Sequence, residues 1–230
     1  MISPKHKSIF VHIPKVAGQS IETIFLEDLE LSWDAREKLL LRKKKKNELG
    51  PERLAHLRAK DYVAFGYVDT KDFEEFFTFS FVRNPYARVL SLYHYLGYSR
   101  IISVSTFTEK VLSKKVEEGH FFFQSQYDYV YSDTGTLLVD FVGKLEYISK
   151  DIQYVLEKLG LQGKTLPHVN KSEKGLKRGL GALLKTPALW GQLKVRKIFS
   201  SVKIKELSEA EKAGIYQLYS KDFDCFDYER

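Results

Sequence analysis

The chain contains two successive units in which a short apolar run leads through a loop into a helix-like pattern. The first run is IFVHI at 9–13, and the second is FFTFSFV at 76–82. Runs of this kind are typical of strands that are buried on both faces of a parallel sheet. After the first loop, apolar residues recur at helical spacing at Ile21, Ile24, Phe25 and Leu29. The second run is broken by Asn84-Pro85, and another helical stripe follows it.

The rest of the chain continues the alternation of strands and helices. The predicted elements are a helix over 34–48, a strand within 139–146, a helix that Ser149 caps and Gly160 ends, and a last helix from a Ser208/Glu211 capping box to Tyr219. Strands alternating with helices predict an α/β fold, in which helices cover both faces of a parallel sheet in three layers.

The length of 230 residues suits one domain over 1–230. Residues 172–207 differ from the rest, because they combine glycines and many lysines with weak periodicity. We expect this segment to be an insertion or a lid.

The net charge of +7 favours anionic partners without choosing among them. Cys225 is the single cysteine, so an intrachain disulfide is excluded, and its aromatic neighbours predict a buried packing thiol. No run reaches the length of about 20 apolar residues that a membrane span needs. The start MISPKHK lacks the apolar stretch of a signal peptide. A soluble, cytoplasmic protein is therefore predicted, although a fragment trimmed of an anchor would show the same pattern.

The loop HIPKVAGQS at 12–20 has the composition of an anion site. A strand that enters a helix through a tight glycine turn points free amides and the positive end of the helix dipole at the loop. Lys15 adds a mobile charge, and Gly18 allows close backbone approach. The nucleotide loop G-x-x-x-x-G-K-[ST] has its lysine directly before the hydroxyl residue, whereas Lys15 precedes Ser20 by five positions. An ordinary turn with a solvated lysine stays open as the alternative.

A second cationic position follows the second strand. Arg83 comes at its carboxyl end, and Ser91 lies about two turns into the next helix. Ligands of open α/β sheets bind beyond the carboxyl ends of the strands, and arginine binds phosphate bidentately. A salt-bridged arginine and a helix-surface serine are the alternatives.

The two motifs together resemble the paired signature of the sulfotransferases that use 3′-phosphoadenosine 5′-phosphosulfate (PAPS). The resemblance rests on HIPKVAGQSIE and FSFVRNPYARVLSLYHYL. It is greatest for the branch with the heparan sulfate 2-O- and chondroitin sulfotransferases and their bacterial relatives. Three more stretches match that branch: AHLRAKDYVAFG, LPHVNKS and IYQLYSKDFDCFDY.

The resemblance implies a fold, a reaction and a set of site residues. The fold is the sulfotransferase fold, which is like that of the P-loop NTPases. The reaction is in-line transfer of a sulfuryl group from PAPS to a hydroxyl, and a saccharide is the expected acceptor. The residues implied to hold the 5′-phosphosulfate are Lys15, Val16, Ala17, Gly18, Gln19 and Ser20. Lys15 is also implied to be catalytic at the leaving oxygen, and His56 is implied to be the catalytic base. The remaining donor contacts are implied for Arg83 and Ser91 at the 3′-phosphate, and for Asn170, Lys171 and Ser172 near the nucleotide.

Several alternatives stay open at this point. His94 and His120 are rivals of His56 for the base, while His12 is expected to be a core residue or a hydrogen-bond partner that shapes the loop. Glu22 is a candidate partner of the site residues. The histidines show no metal-ligand spacing, so no metal is expected. The basic run at 41–46 fits a solvated helix face or an acceptor site, and neither nucleic acid nor a membrane span is expected.

Two other functions compete with the sulfotransferase. One is a nucleotide-dependent kinase on a similar sheet, and the absent G-x-x-x-x-G-K-[ST] counts against it. The other is a non-catalytic module that binds polyanions through its basic run. The acceptor, the oligomeric state and the role of 172–207 are not specified by any pattern in the sequence.

Overall fold

The structure is a computed structural model that describes residues 1–167, 181, 191 and 206–230. The predicted insertion at 172–207 lies almost wholly outside the described residues. The described residues group into two compact units. We call them the sheet unit, with Met1–Arg83 and the segment that begins at Gln126, and the helical unit, with Asn84–Ser125 and the C-terminal helix. The single domain over 1–230 stays a prediction.

Within the described residues, four strands form one sheet in the order β1-β2-β3-β4. They are β1 (Ile2–Ser3), β2 (Ser8–Val11), β3 (Phe77–Val82) and β4 (Phe141–Lys144). The strands β2, β3 and β4 are parallel, whereas β1 pairs antiparallel with β2. The predicted α/β fold with a parallel sheet flanked by helices is confirmed. The short antiparallel β1 was not predicted, because two residues are too few to show a pattern.

The α-helices of the described residues are α1 (Gly18–Asp28), α2 (Ala59–Ala64), α3 (Thr70–Glu75), α4 (Pro85–Tyr95), α5 (Val104–Phe107), α6 (Ser113–Glu117), α7 (Tyr127–Val130), α8 (Ile148–Lys158) and α9 (Glu209–Cys225). A π-helical turn, Thr108–Leu112, joins α5 to α6. Short 3₁₀ helices cover Pro4–His6, Trp33–Leu39, Leu54–His56, Tyr98–Arg100 and Leu145–Tyr147.

One face of the sheet is aromatic and is covered by α1 and α8. Phe79 in β3 stacks on Phe10 of β2 at 5.1 Å and on Phe25 of α1 at 6.3 Å. Tyr154 of α8 packs against Phe141 of β4 at 4.7 Å. Side chains alternate along a strand, so Phe10 and the residue two positions later, His12, share this face. Their rings are stacked at 5.4 Å. The packing that anchors α1 therefore also reaches the first residue of the loop.

The carboxyl ends of β2 and β3 lie side by side. Val11, the last residue of β2, is paired with Ser80 of β3. The buried Ser80 hydroxyl also donates a hydrogen bond of 2.7 Å to the Val11 carbonyl. Because the two strands are parallel, the loop after β2 and Arg83 after β3 leave the sheet at the same edge.

The helical unit packs α9 and the α5–π–α6 helix against α4. Its apolar core includes Leu92, Phe107 and Ile215, all fully buried. Tyr219 leaves helical geometry at φ −127° and interrupts α9, and its hydroxyl donates to the Phe123 carbonyl at 2.6 Å. The Ser208/Glu211 capping box at the start of α9 is confirmed.

The predicted helix over 34–48 is wrong. A 3₁₀ helix ends at Leu39, and Leu40 takes a left-handed conformation at φ +64°. The chain then folds back on itself, with Lys44 N–H donating to the Glu52 carbonyl and Leu54 N–H to the Arg42 carbonyl. Arg42 makes two hydrogen bonds of 2.6 Å to the Glu48 carboxylate within this hairpin. These tertiary bonds outweigh the helix propensity of the lysine run, which is a weak preference.

Three smaller predictions are also wrong. Ser149 does not cap α8, because the helix begins at Ile148. The last helix does not end at Tyr219 but continues beyond its break to Cys225. Cys225 is exposed, whereas its aromatic neighbours Phe223 and Phe226 are buried. No helix in the described part of the chain is both long and apolar enough to span a membrane.

Candidate functional site

The loop between β2 and α1 is held in an unusual backbone conformation. Lys15 and Ala17 both have positive φ, +75° and +64°, in the left-handed region that residues with a Cβ rarely adopt. Ala17 is the N-cap of α1, and its methyl side chain cannot cap the helix amides. A helix N-terminus carries about half a positive charge, so uncapped amides next to Lys15 suit an anionic group.

Gly18 makes room for a side chain of the protein itself. A Cβ at this position would lie 1.9 Å from Nε2 of His12, a distance at which two atoms overlap. The sequence predicted Gly18 as a place where a ligand meets the backbone, and the structure adds the imidazole of His12 as the group that needs the space. The glycine thus allows α1 to begin directly against that ring.

His12 and Glu22 form a buried pair beneath the loop. The Nδ1 of His12 and the Oε1 of Glu22 are 2.6 Å apart, and both side chains are more than 90% buried. Because a carboxylate only accepts hydrogen bonds, His12 donates through Nδ1. The pair ties the residue after β2 to the second turn of α1. The predicted role of His12 as a loop-shaping hydrogen-bond partner is confirmed, and Glu22 is that partner.

His56 lies directly against His12. The two rings meet edge to face at 4.6 Å, and His56 Nδ1 is 2.9 Å from the His12 carbonyl oxygen. A carbonyl oxygen only accepts, so the hydrogen is on Nδ1 of His56. In the neutral ring, Nε2 then holds the lone pair that can take a proton.

The surroundings of His56 keep its ring neutral. Burial lowers the pKa of His56 well below its ordinary value of 6.5, and the nearby His12 lowers it further. The bond to the His12 carbonyl acts in the opposite sense, because a donor bond favours the protonated ring. The lowering effects dominate, so the ring is uncharged at neutral pH.

Arg83 is held at its backbone by the side chain of Gln126. The Arg83 N–H donates to Gln126 Oε1 at 2.9 Å, and Gln126 Nε2 donates to the Arg83 carbonyl at 2.7 Å. Gln126 is fully buried, whereas Arg83 is half-buried. No sequence signal pointed to Gln126, because a single glutamine in an aromatic stretch has no pattern of its own.

The structure groups some of the predicted site residues and separates others. The loop residues Lys15, Val16, Ala17, Gly18, Gln19 and Ser20 share the sheet unit with His56 and Arg83. Ser91, His94 and His120 belong to the helical unit. Asn170, Lys171 and Ser172 lie outside the described residues.

The other histidines have aromatic neighbours. The His94 ring is 5.3 Å from that of Tyr93, and His120 stacks on Phe121 at 5.1 Å. Across the described ranges, no group of three or more His, Cys, Asp or Glu side chains is arranged to hold a metal ion.

A side chain at position 18 is expected to destabilise the fold. Gly18→Ala places a methyl group inside the His12 ring, and overpacking of this kind costs about 1–3 kcal/mol. The denaturant midpoint measures the cost. Gly214→Ala is the control, because position 214 also lies within a helix and a Cβ there would be 3.4 Å from Cγ2 of Thr108, an ordinary contact distance. If the ring is the cause, Gly18→Ala costs less in a His12→Ala background, and an equal cost in both backgrounds would contradict this account.

Because of His56, the folded protein is expected to become less stable as the pH is lowered below 6.5. Below pH 6.5, His56 is protonated in the unfolded chain but stays neutral in the folded chain, because burial lowers its pKa. The free energy of unfolding therefore decreases as the pH falls from 6.5 toward the lowered pKa. One such group contributes up to about 1.4 kcal/mol per pH unit. Urea unfolding at pH 7.5 and 5.5 should therefore show a larger loss for the wild type than for His56→Gln. Equal losses in both proteins would assign the pH dependence to other groups.

A comparison with protein families identifies the family of this chain. The chain matches a family model described as the sulfotransferase family over residues 1–229. Comparisons with curated proteins and with solved structures returned no match. The family match covers nearly the whole chain. The chain belongs to the sulfotransferase family.

Proposed function

We propose that this sulfotransferase uses PAPS as its donor and transfers the sulfuryl group to a hydroxyl of a saccharide, with His56 as the base. The observation that carries the proposal is the hydrogen bond from His56 Nδ1 to the His12 carbonyl. It places the ring hydrogen on Nδ1, so that the neutral ring carries its lone pair on Nε2, and it joins this histidine to the first residue of the anion-binding loop. A base that is hydrogen-bonded to the start of an anion-binding loop is what transfer to a hydroxyl requires.

The residues of the loop fit the 5′ end of the donor. The uncapped N-terminus of α1 and the Lys15 side chain provide positive charge for a phosphosulfate, while Gln19 and Ser20 lie in the first turn with polar side chains. Arg83, which leaves the same sheet edge, is suited to the 3′-phosphate. Ser91, Asn170, Lys171 and Ser172 are further donor contacts in this proposal, by resemblance.

The chemistry proceeds by positioning and electrostatic stabilisation. The donor supplies a sulfuryl group on a good leaving group, and the bond between sulfur and the bridging phosphate oxygen breaks as the acceptor oxygen bonds to sulfur. His56 Nε2 takes the proton of the acceptor hydroxyl. Lys15 and the loop amides stabilise the negative charge that develops on the departing phosphate. The products are the sulfated acceptor and adenosine 3′,5′-bisphosphate, and the scheme needs no metal.

The acceptor class rests on the resemblance and on charge near His56. The basic hairpin exposes Lys44, Lys45 and Lys46, and its return arm runs directly into the 3₁₀ helix that ends at His56. The exposed lysines of the hairpin favour an acidic saccharide over a neutral one. The proposal includes a cytoplasmic location.

The donor proposal predicts specific nucleotide binding. Adenosine 3′,5′-bisphosphate should bind the wild type, and Arg83→Ala should weaken it roughly 10- to 100-fold, since a hydrogen-bonded charge contributes about 1.5–3 kcal/mol. Calorimetric titration gives the two affinities. Lys71→Ala is the control, because it removes an exposed cation on α3. Absence of any binding to the wild type would overturn the proposal, and stronger thermal stabilisation by ATP with magnesium would favour a kinase.

The base proposal predicts a separation of binding from turnover. His56→Ala should keep its affinity for the bisphosphate and lose roughly 10²- to 10⁴-fold in turnover, the usual contribution of a general base. Turnover is measured with labelled PAPS on an acceptor chosen from a panel of acidic and neutral saccharides, phenols and peptides. His94→Ala and His120→Ala are the matched variants. Near-normal turnover in His56→Ala would move the role to whichever of these two loses activity.

A further inference from the structure

The side-chain carboxamide of Gln126 forms hydrogen bonds to the backbone of Arg83 through both its oxygen and its nitrogen. Its oxygen accepts from the Arg83 N–H at 2.9 Å, and its nitrogen donates to the Arg83 carbonyl at 2.7 Å. Glutamine is mostly exposed in proteins, yet this side chain is fully buried. A buried amide whose donor and acceptor both face one residue, 43 positions away in the chain, constrains where that residue lies.

The contact occurs where the pairing of β3 ends. The last pair in the ladder between β3 and β4 is Val82 with Lys144, and Arg83 follows directly. The carboxamide of Gln126 supplies the two hydrogen bonds that a neighbouring peptide group would supply in a longer ladder. Arg83 is therefore held as if it were still part of a strand, although β3 has already ended.

The element that carries Gln126 is itself fixed. Gln126 is the N-cap of α7, which packs against α2, and Lys60 of α2 forms an ion pair with Asp133 beyond α7. The helix α2 begins three residues after His56. The support for Arg83 and the segment that carries the proposed base thus belong to one packed group in the sheet unit.

We propose that Gln126 is a positioning residue for the 3′-phosphate of the donor and acts through Arg83. This inference rests on the proposed function. A guanidinium binds a phosphate bidentately only in a narrow range of orientations. The arginine side chain is flexible, so the position of its Cα and backbone determines which orientations the guanidinium can reach. Release of that backbone lowers the fraction of molecules in which the guanidinium faces the phosphate, and so weakens binding without removing any contact to the donor.

The test replaces the carboxamide with a group whose hydrogen bonding depends on pH. In Gln126→Glu, an ionised carboxylate accepts from the Arg83 N–H but repels the Arg83 carbonyl, whereas a protonated carboxyl donates and accepts as the amide does. We expect bisphosphate affinity about tenfold below the wild type at pH 8 and a clearly smaller deficit at pH 5.5. Gln124→Glu is the control, because it makes the same change at a side chain that bonds the Gly119 carbonyl.

Adenosine 5′-monophosphate provides the second arm of the test, because it lacks the 3′-phosphate. Its affinity should be nearly the same in the wild type and in Gln126→Glu. Equal loss for both nucleotides would overturn the proposal, since it would show a general disturbance of the fold.

A double-mutant cycle provides the third arm. If Gln126 acts through Arg83, Gln126→Glu has no further effect on bisphosphate affinity in an Arg83→Ala background. Additive losses would assign Gln126 an independent role and overturn the inference. Failure of the wild type to bind the bisphosphate would instead remove the proposed function, whereas normal binding by a folded Gln126→Glu at pH 8 would remove only this inference.

Discussion

The parallel pairing of β2 with β3 is the constraint on which the rest of the site depends. Both strands end at one edge of the sheet, so the loop that begins at His12 and the cation at Arg83 leave it side by side. The Ser80 hydroxyl strengthens this pairing at the last residue of β2. A one-residue slip would turn His12 away from the aromatic face, because side chains alternate along a strand. The stacked phenylalanines on that face make such a slip costly.

His12 connects the sheet edge to α1 and to the 3₁₀ helix that ends at His56. Its ring accounts for the glycine at position 18, its Nδ1 meets Glu22 in α1, and its carbonyl sets the tautomer of His56. These polar groups are buried, where unpaired hydrogen-bonding groups are costly and paired ones are strong. The same residue therefore determines how α1 begins and how the proposed base is oriented.

The fold class and both motifs were predictable because each depends on local pattern. Strand-like runs followed by helical stripes identify a parallel α/β sheet, and the loop was recognised from its glycine, lysine and serine. The helix predicted over 34–48 was wrong, because the Arg42–Glu48 bonds and the backbone pairing near Glu52 form between residues that no helical period relates. The exposure of Cys225 was missed because its aromatic neighbours suggested a core position, whereas Phe223 and Phe226 take the buried side of this segment.

The sequence by itself determined which chemistry is present: a cationic loop before one helix, an arginine after the next strand, and a histidine between them. Only the tertiary structure decided how these groups work together. In the folded chain, His56 donates a hydrogen bond to the His12 carbonyl, and the imidazole of His12 occupies the space beside Gly18. The Gln126 side chain forms hydrogen bonds to the backbone N–H and carbonyl of Arg83. The reason is physical. A sequence pattern relates residues a few positions apart, whereas the contacts of His56 and Gln126 join residues that only the folded sheet and its packed helices bring within hydrogen-bond distance.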